Sequence, residues 1–139
     1  MLYGGYDHTM DKKGRLSIPS RLREELGEKV VICPGSFGKC LWLYSKAEFD
    51  AFCEKIMAMP PLKRVTLSRE VLDKSYGCEI DAQGRILVDP DLRTIADLKT
   101  DIHILGAGKN LEIWDKTIWE DYKISQSTLS RDEIMEEML

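Results

Sequence analysis

The chain has 139 residues, of which 43% are hydrophobic and 32% charged, and carries a net charge of −4 at neutral pH. That balance excludes a disordered chain, and the acidic sum excludes a protein that coats nucleic acid over its whole surface. The opening Met1-Leu-Tyr-Gly-Gly-Tyr-Asp7 has neither a basic start nor an apolar stretch of signal length, and no run of about 18 apolar residues occurs, so a cytoplasmic protein without membrane contact is expected.

In chain order, residues 6–10 predict a strand that runs into a polar turn at 11–14, and residues 15–18 leave it with strand-like alternation. Gly14 suits a tight turn that needs positive φ, and the Asp11 carboxylate suits the turn's own N–H groups. Pro19 fits the first position of a short helix at 20–26, which Gly27 ends. Residues 30–33 and 41–44 predict strands around the loop 34–39. Ser45 is an expected N-cap forming a capping box with Glu48, opening a helix over 46–59 that buries Phe49, Phe52, Cys53 and Ile56. Pro60-Pro61 closes this unit, and a helix over 62–75 leads onward.

The pattern then returns. Asp11-Lys-Lys-Gly-Arg15 reappears 70 residues later as Asp81-Ala-Gln-Gly-Arg85, and at the same offset Leu22 matches Leu92, Arg23 matches Arg93, Leu41 matches Leu111, and Phe49 matches Trp119. Gly84 and Asp81 take the turn roles of Gly14 and Asp11, and Asp115 takes that of Ser45. The first repeat is read as 5–47 followed by the helix 46–59, the second as 76–119, and 120–139 as a C-terminal helix and tail with a capping box at Ser130 and Glu133. A unit of about 45 residues cannot bury enough apolar surface alone, so each copy needs the other and one pseudo-twofold core is expected.

Charge divides the copies. Residues 11–23 hold five basic residues against one acid, a net of +4, whereas 81–93 hold two against three, a net of −1. From Leu111 onward eight acids face three basic residues, a net of −5. The four cysteines, Cys33, Cys40, Cys53 and Cys78, include no Cys-x-x-Cys pair and read as buried apolar thiols. His8 and His103 are isolated and read as structural. Gly106-Ala-Gly-Lys-Asn110 resembles a phosphate loop but lacks the remaining Walker residues, so a hairpin loop is expected in place of a nucleotide site built on Lys109. No catalytic motif is present, and no enzyme, metal, cofactor or small-molecule substrate is expected.

The Asp-x-x-Gly-Arg turn suits binding, because it holds Lys12, Lys13 and Arg15 away from a core and toward a polyanion. Arginine can donate two parallel bonds to phosphate or to guanine O6 and N7. A simple Asp11–Arg15 ion pair across the turn fits the same spacing. The opening residues 1–19, the second motif at Asp81 to Arg85 and Leu111-Glu-Ile-Trp-Asp115 resemble the bacterial MraZ family over roughly residues 1–123. The resemblance implies an α+β fold in which tandem SpoVT-AbrB-like repeats form a pseudo-twofold swapped-hairpin β-barrel with peripheral helices. It further implies a nucleoid-associated, DNA-binding transcriptional regulator of its own division and cell-wall gene cluster, a repressor acting on tandem upstream repeats of double-stranded DNA as a ring-like homo-oligomer. By motif position, Arg15 and Arg85 are the DNA-facing arginines and Asp11 and Asp81 orient them; Lys12, Lys13, Arg21 and Arg23 join them on electrostatic grounds. Asp89 and Asp91 flank Pro90 and would repel phosphate, so the first repeat is expected to dominate DNA contact. The alternative is a non-catalytic protein-interaction scaffold of the same fold, working through its acidic C-terminal half.

Overall fold

The computed structural model describes residues 1–125 and 130–139, the side chain of residue 125 excepted. The first copy comprises β1 (Gly5–Thr9), β2 (Arg15–Ser17), α1 (Ser20–Leu26), β3 (Lys29–Pro34), β4 (Leu41–Ser45) and α2 (Lys46–Met57). Helix α3 (Pro61–Glu70) and a 3-10 turn (Leu72–Lys74) lead to β5 (Tyr76–Glu79), β6 (Arg85–Leu87), α4 (Pro90–Ile95), β7 (Asp101–Gly106), β8 (Leu111–Asp115) and α5 (Lys116–Ser125). Helix α6 (Arg131–Met138) follows, with the Glu133 N–H donating to Ser130 Oγ at 3.4 Å. Within the C-terminal helix and tail expected over 120–139, residues 126–129 lie outside the described residues.

The strands form two antiparallel sheets, one ordered β1-β7-β8-β4-β3-β5 and the other the ribbon β2-β6. Each repeat lends its hairpin to the other. Strand β1 lies against β7 with Tyr6 opposite Ile104, and β5 lies against β3 with Tyr76 opposite Ile32. Exchanging the repeats reproduces the strand order in reverse, so the molecule has a pseudo-twofold axis. It passes between Leu16 and Ile86 in the ribbon and near the Trp42–Glu112 pair of β4 and β8. The hairpin turns join the sheets on both sides, through Asp11 N–H to Arg15 O at 3.1 Å and Asp81 N–H to Arg85 O at 2.9 Å. This is the α+β, swapped-hairpin architecture that the resemblance implied, built around the one shared core that the repeat required.

Alternation explains the interior. Leu16 and Ile86 point inward from the ribbon and are essentially inaccessible, as are Ile32, Leu41, Leu43, Ile102, Ile104, Leu111 and Ile113 from the larger sheet. One apolar face per strand, contributed by both copies, thus makes one core that neither copy encloses alone.

Local chemistry places the helices. Helix α1 begins at Ser20 because Pro19, with ψ at 134°, keeps an extended backbone just outside it, one residue from its expected place. In the second copy Asp89 takes that outer position and Pro90 enters the helix. Gly27, at φ 73°, ends α1. Ser45 Oγ accepts the Glu48 N–H at 3.2 Å, and buried Asp115 accepts Ile118 N–H at 3.4 Å and Lys99 N–H at 3.1 Å. Of the expected buried face of α2 only Ile56 is fully enclosed; Phe49, Phe52 and Cys53 are half-buried because the helix covers the sheet as a single layer. The two phenylalanines join Trp42 and Tyr44 in an aromatic cluster, with Tyr44 and Phe52 stacked at 5.2 Å.

All four cysteines are free thiols, and burial pushes Cys33 and Cys40 up to about 12. Among the described residues no helix is long and apolar enough to cross a membrane, and no cluster of three or more His, Cys, Asp or Glu side chains could hold a metal ion.

Candidate nucleic-acid interface

The β2–β6 register pairs Arg15 with Leu87, Leu16 with Ile86 and Ser17 with Arg85. Because the middle pair points inward, the outer face of the ribbon carries Arg15, Ser17, Arg85 and Leu87. The two motif arginines, 70 residues apart in sequence, are therefore diagonal neighbours on one face, at the roughly 7–8 Å of such pairs. The Lys12-Lys13 turn continues the ribbon at the Arg15 end, and the Ala82-Gln83 turn continues it at the Arg85 end.

Each turn is held by its aspartate. Asp11 Oδ1 accepts the N–H groups of Lys13 at 3.0 Å and Arg15 at 2.9 Å, while its Oδ2 accepts Arg15 Nε at 2.5 Å. Asp81 repeats this with Gln83 N–H and Arg85 N–H at 2.9 Å each and Arg85 Nε at 3.2 Å. These donors, first of all the N–H of Arg15 and of Arg85, hold both carboxyls below their ordinary range. Gly14 and Gly84 close the turns at φ 87° and 80°, each donating its N–H to the aspartate carbonyl.

The ion pair expected across each turn forms, and it leaves arginine's fork available. Only Nε of Arg15 is engaged; among the described residues its terminal nitrogens have no partner, and the side chain is 40% exposed. Arg85 is more committed, since one terminal nitrogen also donates to Gln83 Oε1 at 2.5 Å, and its side chain is 31% exposed.

The other expected basic residues separate. Lys12 and Lys13 are exposed at the first turn. Arg21 lies on α1, where its guanidinium sits 4.4 Å from the Tyr3 ring and one terminal nitrogen bonds the Tyr3 hydroxyl. Arg23 is half-buried against the opposite repeat's turn, packed so closely on Gly84 that a Cβ there would collide with its Nη1. Its Nε is buried and has no hydrogen-bond partner among the described residues. The counterpart Arg93 lies over Gly14 and donates from Nε to the Val88 carbonyl at 3.1 Å. Each helix arginine thus clamps the turn lent by the other copy, a contact no local pattern could foretell.

The two acids expected to repel phosphate have structural work. Asp89 caps α4 by accepting the Asp91 N–H at 2.9 Å, and Asp91 accepts the Tyr76 hydroxyl at 3.4 Å. The glycine-rich segment is a hairpin loop with three successive amides taken: Gly106 N–H donates to Gly4 O, Ala107 N–H to Asn110 O and Gly108 N–H to Leu2 O, at 2.8–2.9 Å. Those three amides are therefore not available as a cradle for a phosphate. His103 bonds Asp7 at 2.8 Å and stacks on Trp119, while Lys116 reaches the same carboxylate at 2.9 Å, fastening the first strand to the second repeat.

Sequence reading missed Leu87, Arg93 and the Asp7 lock. A signal existed for Leu87: in Ile86-Leu-Val88 strict alternation must leave the middle residue outside.

Fold and surface together define a class: a tandem-repeat, swapped-hairpin protein presenting a basic two-stranded ribbon to which both repeats contribute. A family model described as "MraZ protein, putative antitoxin-like" matches residues 1–67 and again 71–139. The chain belongs to the MraZ family. It is 42% identical to the transcriptional regulator MraZ of Caldanaerobacter subterraneus subsp. tengcongensis, over 99% of this chain and 96% of that one. It is also 40% identical to those of Thermoanaerobacter sp. strain X514, over 99% and 96%, and Heliobacterium modesticaldum, over 100% and 97%.

Proposed function

We infer that this protein is a DNA-binding transcriptional regulator whose ribbon β2–β6 docks on double-stranded DNA. The observation that carries the reading is the placement of Arg15 and Arg85 on one outward face, each guanidinium oriented through Nε by a turn carboxylate. A two-stranded ribbon fits the major groove, and a fork held at Nε keeps its terminal nitrogens for phosphate or guanine. Lys12 and Lys13 add electrostatic attraction at the Arg15 end. Arg21 contributes charge from α1, whereas Arg23 acts by holding the Gly84 turn. The relatives' printed name, transcriptional regulator, supports the same reading.

Within it, the protein represses its own division and cell-wall cluster by binding tandem upstream repeats as a ring-like homo-oligomer at the nucleoid. The physical rationale is avidity. One small basic patch neutralises few phosphates and binds weakly at physiological salt, whereas several patches on one assembly engage tandem elements at high effective concentration. No catalytic turnover or cofactor enters this mechanism. The first repeat leads, because Arg15 has both terminal nitrogens free among the described residues and two lysines beside it.

The test is binding to the gene's own upstream duplex against a shuffled duplex across a salt series, with wild type, Arg15→Ala and Arg85→Ala. Wild type should prefer the upstream duplex and weaken steeply with salt. Arg15→Ala should lose about 1–3 kcal/mol, the worth of a bidentate arginine contact, and Arg85→Ala should lose less. Failure of folded wild type to bind either duplex at low salt would overturn the assignment in favour of a protein-interaction scaffold using the acidic C-terminal half.

A further inference from the structure

We propose that Leu87 is a specificity-determining residue of the ribbon, reading the C5-methyl group of a thymine beside the base contacted by Arg15. The inference rests on the DNA-docking reading of the ribbon. It begins from a break in the pseudo-symmetry. The axis relates Arg15 to Arg85 and Ser17 to Leu87, so the same outward position is a small hydroxyl in one half and a large apolar side chain in the other. Leu87 is 58% exposed, although its neighbours Ile86 and Val88 are buried. It stands directly opposite Arg15, on a surface otherwise made of Arg15, Ser17 and Arg85 and bordered by Lys12 and Lys13.

That setting selects the occupant. A single exposed leucine is ordinary on a protein surface; what distinguishes Leu87 is its place, directly opposite Arg15 on the cationic outer face of the ribbon. The cationic surroundings attract a polyanion, and the major groove of DNA offers one apolar feature, the thymine methyl. The spacing agrees. Leu87 and Arg15 are direct cross-strand partners, with Cβ atoms about 4.5–5.5 Å apart, within reach of neighbouring base pairs stacked about 3.4 Å apart. The ribbon therefore has chemically distinct halves: Lys12, Lys13, Arg15 and Leu87 at one end, and Ser17, Arg85 and Gln83 at the other. The first half reads a guanine next to a thymine; the second offers hydrogen bonds that tolerate more bases. Such a surface distinguishes the two directions of the same duplex.

The experiment replaces each thymine of the upstream duplex, one at a time, by deoxyuridine, which removes the methyl and keeps the pairing edge. Wild type, Leu87→Ser and Arg15→Ala are titrated against the set. Wild type should lose about fourfold at one or two positions, the worth of one buried methyl group, and Leu87→Ser should be indifferent at those positions. Wild type insensitive to every replacement would overturn the role of Leu87 while Arg15→Ala still lost binding, leaving the DNA reading in place. Equal sensitivity of wild type and Leu87→Ser would also overturn it, showing that another side chain reads the methyl. Failure of wild type to prefer the upstream duplex would bring down both readings. Leu87→Ser should melt with wild type because the site is exposed; if it melts lower, the scan on wild type alone still decides whether a methyl is read.

Discussion

Gly14→Ala tests the cross-repeat clamp. Gly14 has φ 87°, and a Cβ there would stand 2.9 Å from the Val88 carbonyl oxygen and 2.9 Å from both Cζ and Nε of Arg93. The left-handed backbone costs alanine about 1–2 kcal/mol. The contact adds about 1–2 kcal/mol, in the lower range of overpacking costs, because the Val88 oxygen is backbone, tied in place by Val88 N–H to Gly14 O at 2.9 Å. The sum is about 2–4 kcal/mol; unfolding entropy for a chain of this length makes each kcal/mol worth about 3 °C, so the melting temperature should fall by about 6–12 °C. Gly84→Ala is the internal control. Its backbone strain is similar, at φ 80°, but the three nearest atoms all belong to the Arg23 side chain. That side chain can swing away without losing a bond from its unpartnered Nε. Its cost should stay near the backbone part, about 1–2 kcal/mol, and Arg23→Ala in the same chain should relieve any excess. Circular dichroism melting at matched protein concentration decides the matter. Gly14→Ala within about 2 °C of wild type, or Gly84→Ala as the more damaging change, would refute the clamp geometry.

Three further outcomes are expected. Asp11 and Asp81 have folded pKa values below the ordinary 3.8, so their contribution to stability is complete above that pH and is lost as the pH falls through the folded values; Asp11→Asn with Asp81→Asn should flatten the melting temperature between pH 5 and pH 2. With their thiols pushed up to about 12 and buried, Cys33 and Cys40 should resist iodoacetamide at pH 8 in the native protein and react on denaturation, as mass spectrometry would show; labelling at the rate of a free thiol would contradict their burial. Leu16→Ala removes the fully buried side chain beside the pseudo-twofold axis and should cost about 2–5 kcal/mol by urea unfolding.

The elements legible in the sequence were those governed by neighbours in the chain. The turns announced themselves through Asp and Gly at fixed offsets, and their carboxylates hold the expected amides. The Ser45 cap is likewise a contact three residues long. Charge counting, by contrast, put Arg21 and Arg23 into one patch with Arg15, although folding stacks one on Tyr3 and packs the other on Gly84. Those destinations lie 18 and 61 residues away, where periodicity has no reach. The repulsive role given to Asp89 came from its charge alone; its position before Pro90 makes it a helix cap first. Pairing of β1 with β7 came from family resemblance, since alternation says that a strand is half-buried and never which strand it meets.

The swap also explains where the copies were free to diverge. Strand β2 has β6 as its ladder partner, and each turn glycine lies under an arginine from the other repeat, so the proposed DNA-facing surface exists only when both copies are folded together. Positions that hold this arrangement are matched: Gly14 with Gly84, Asp11 with Asp81, Arg23 with Arg93, Leu16 with Ile86. Positions that face outward are not: Lys12-Lys13 stands against Ala82-Gln83, and Ser17 against Leu87. The symmetric backbone fixes the spacing of the two arginines, while the unmatched side chains around them give the ribbon a direction. On the proposed docking, a symmetric scaffold with an asymmetric outer face distinguishes the two directions of a duplex, which equal copies could not do.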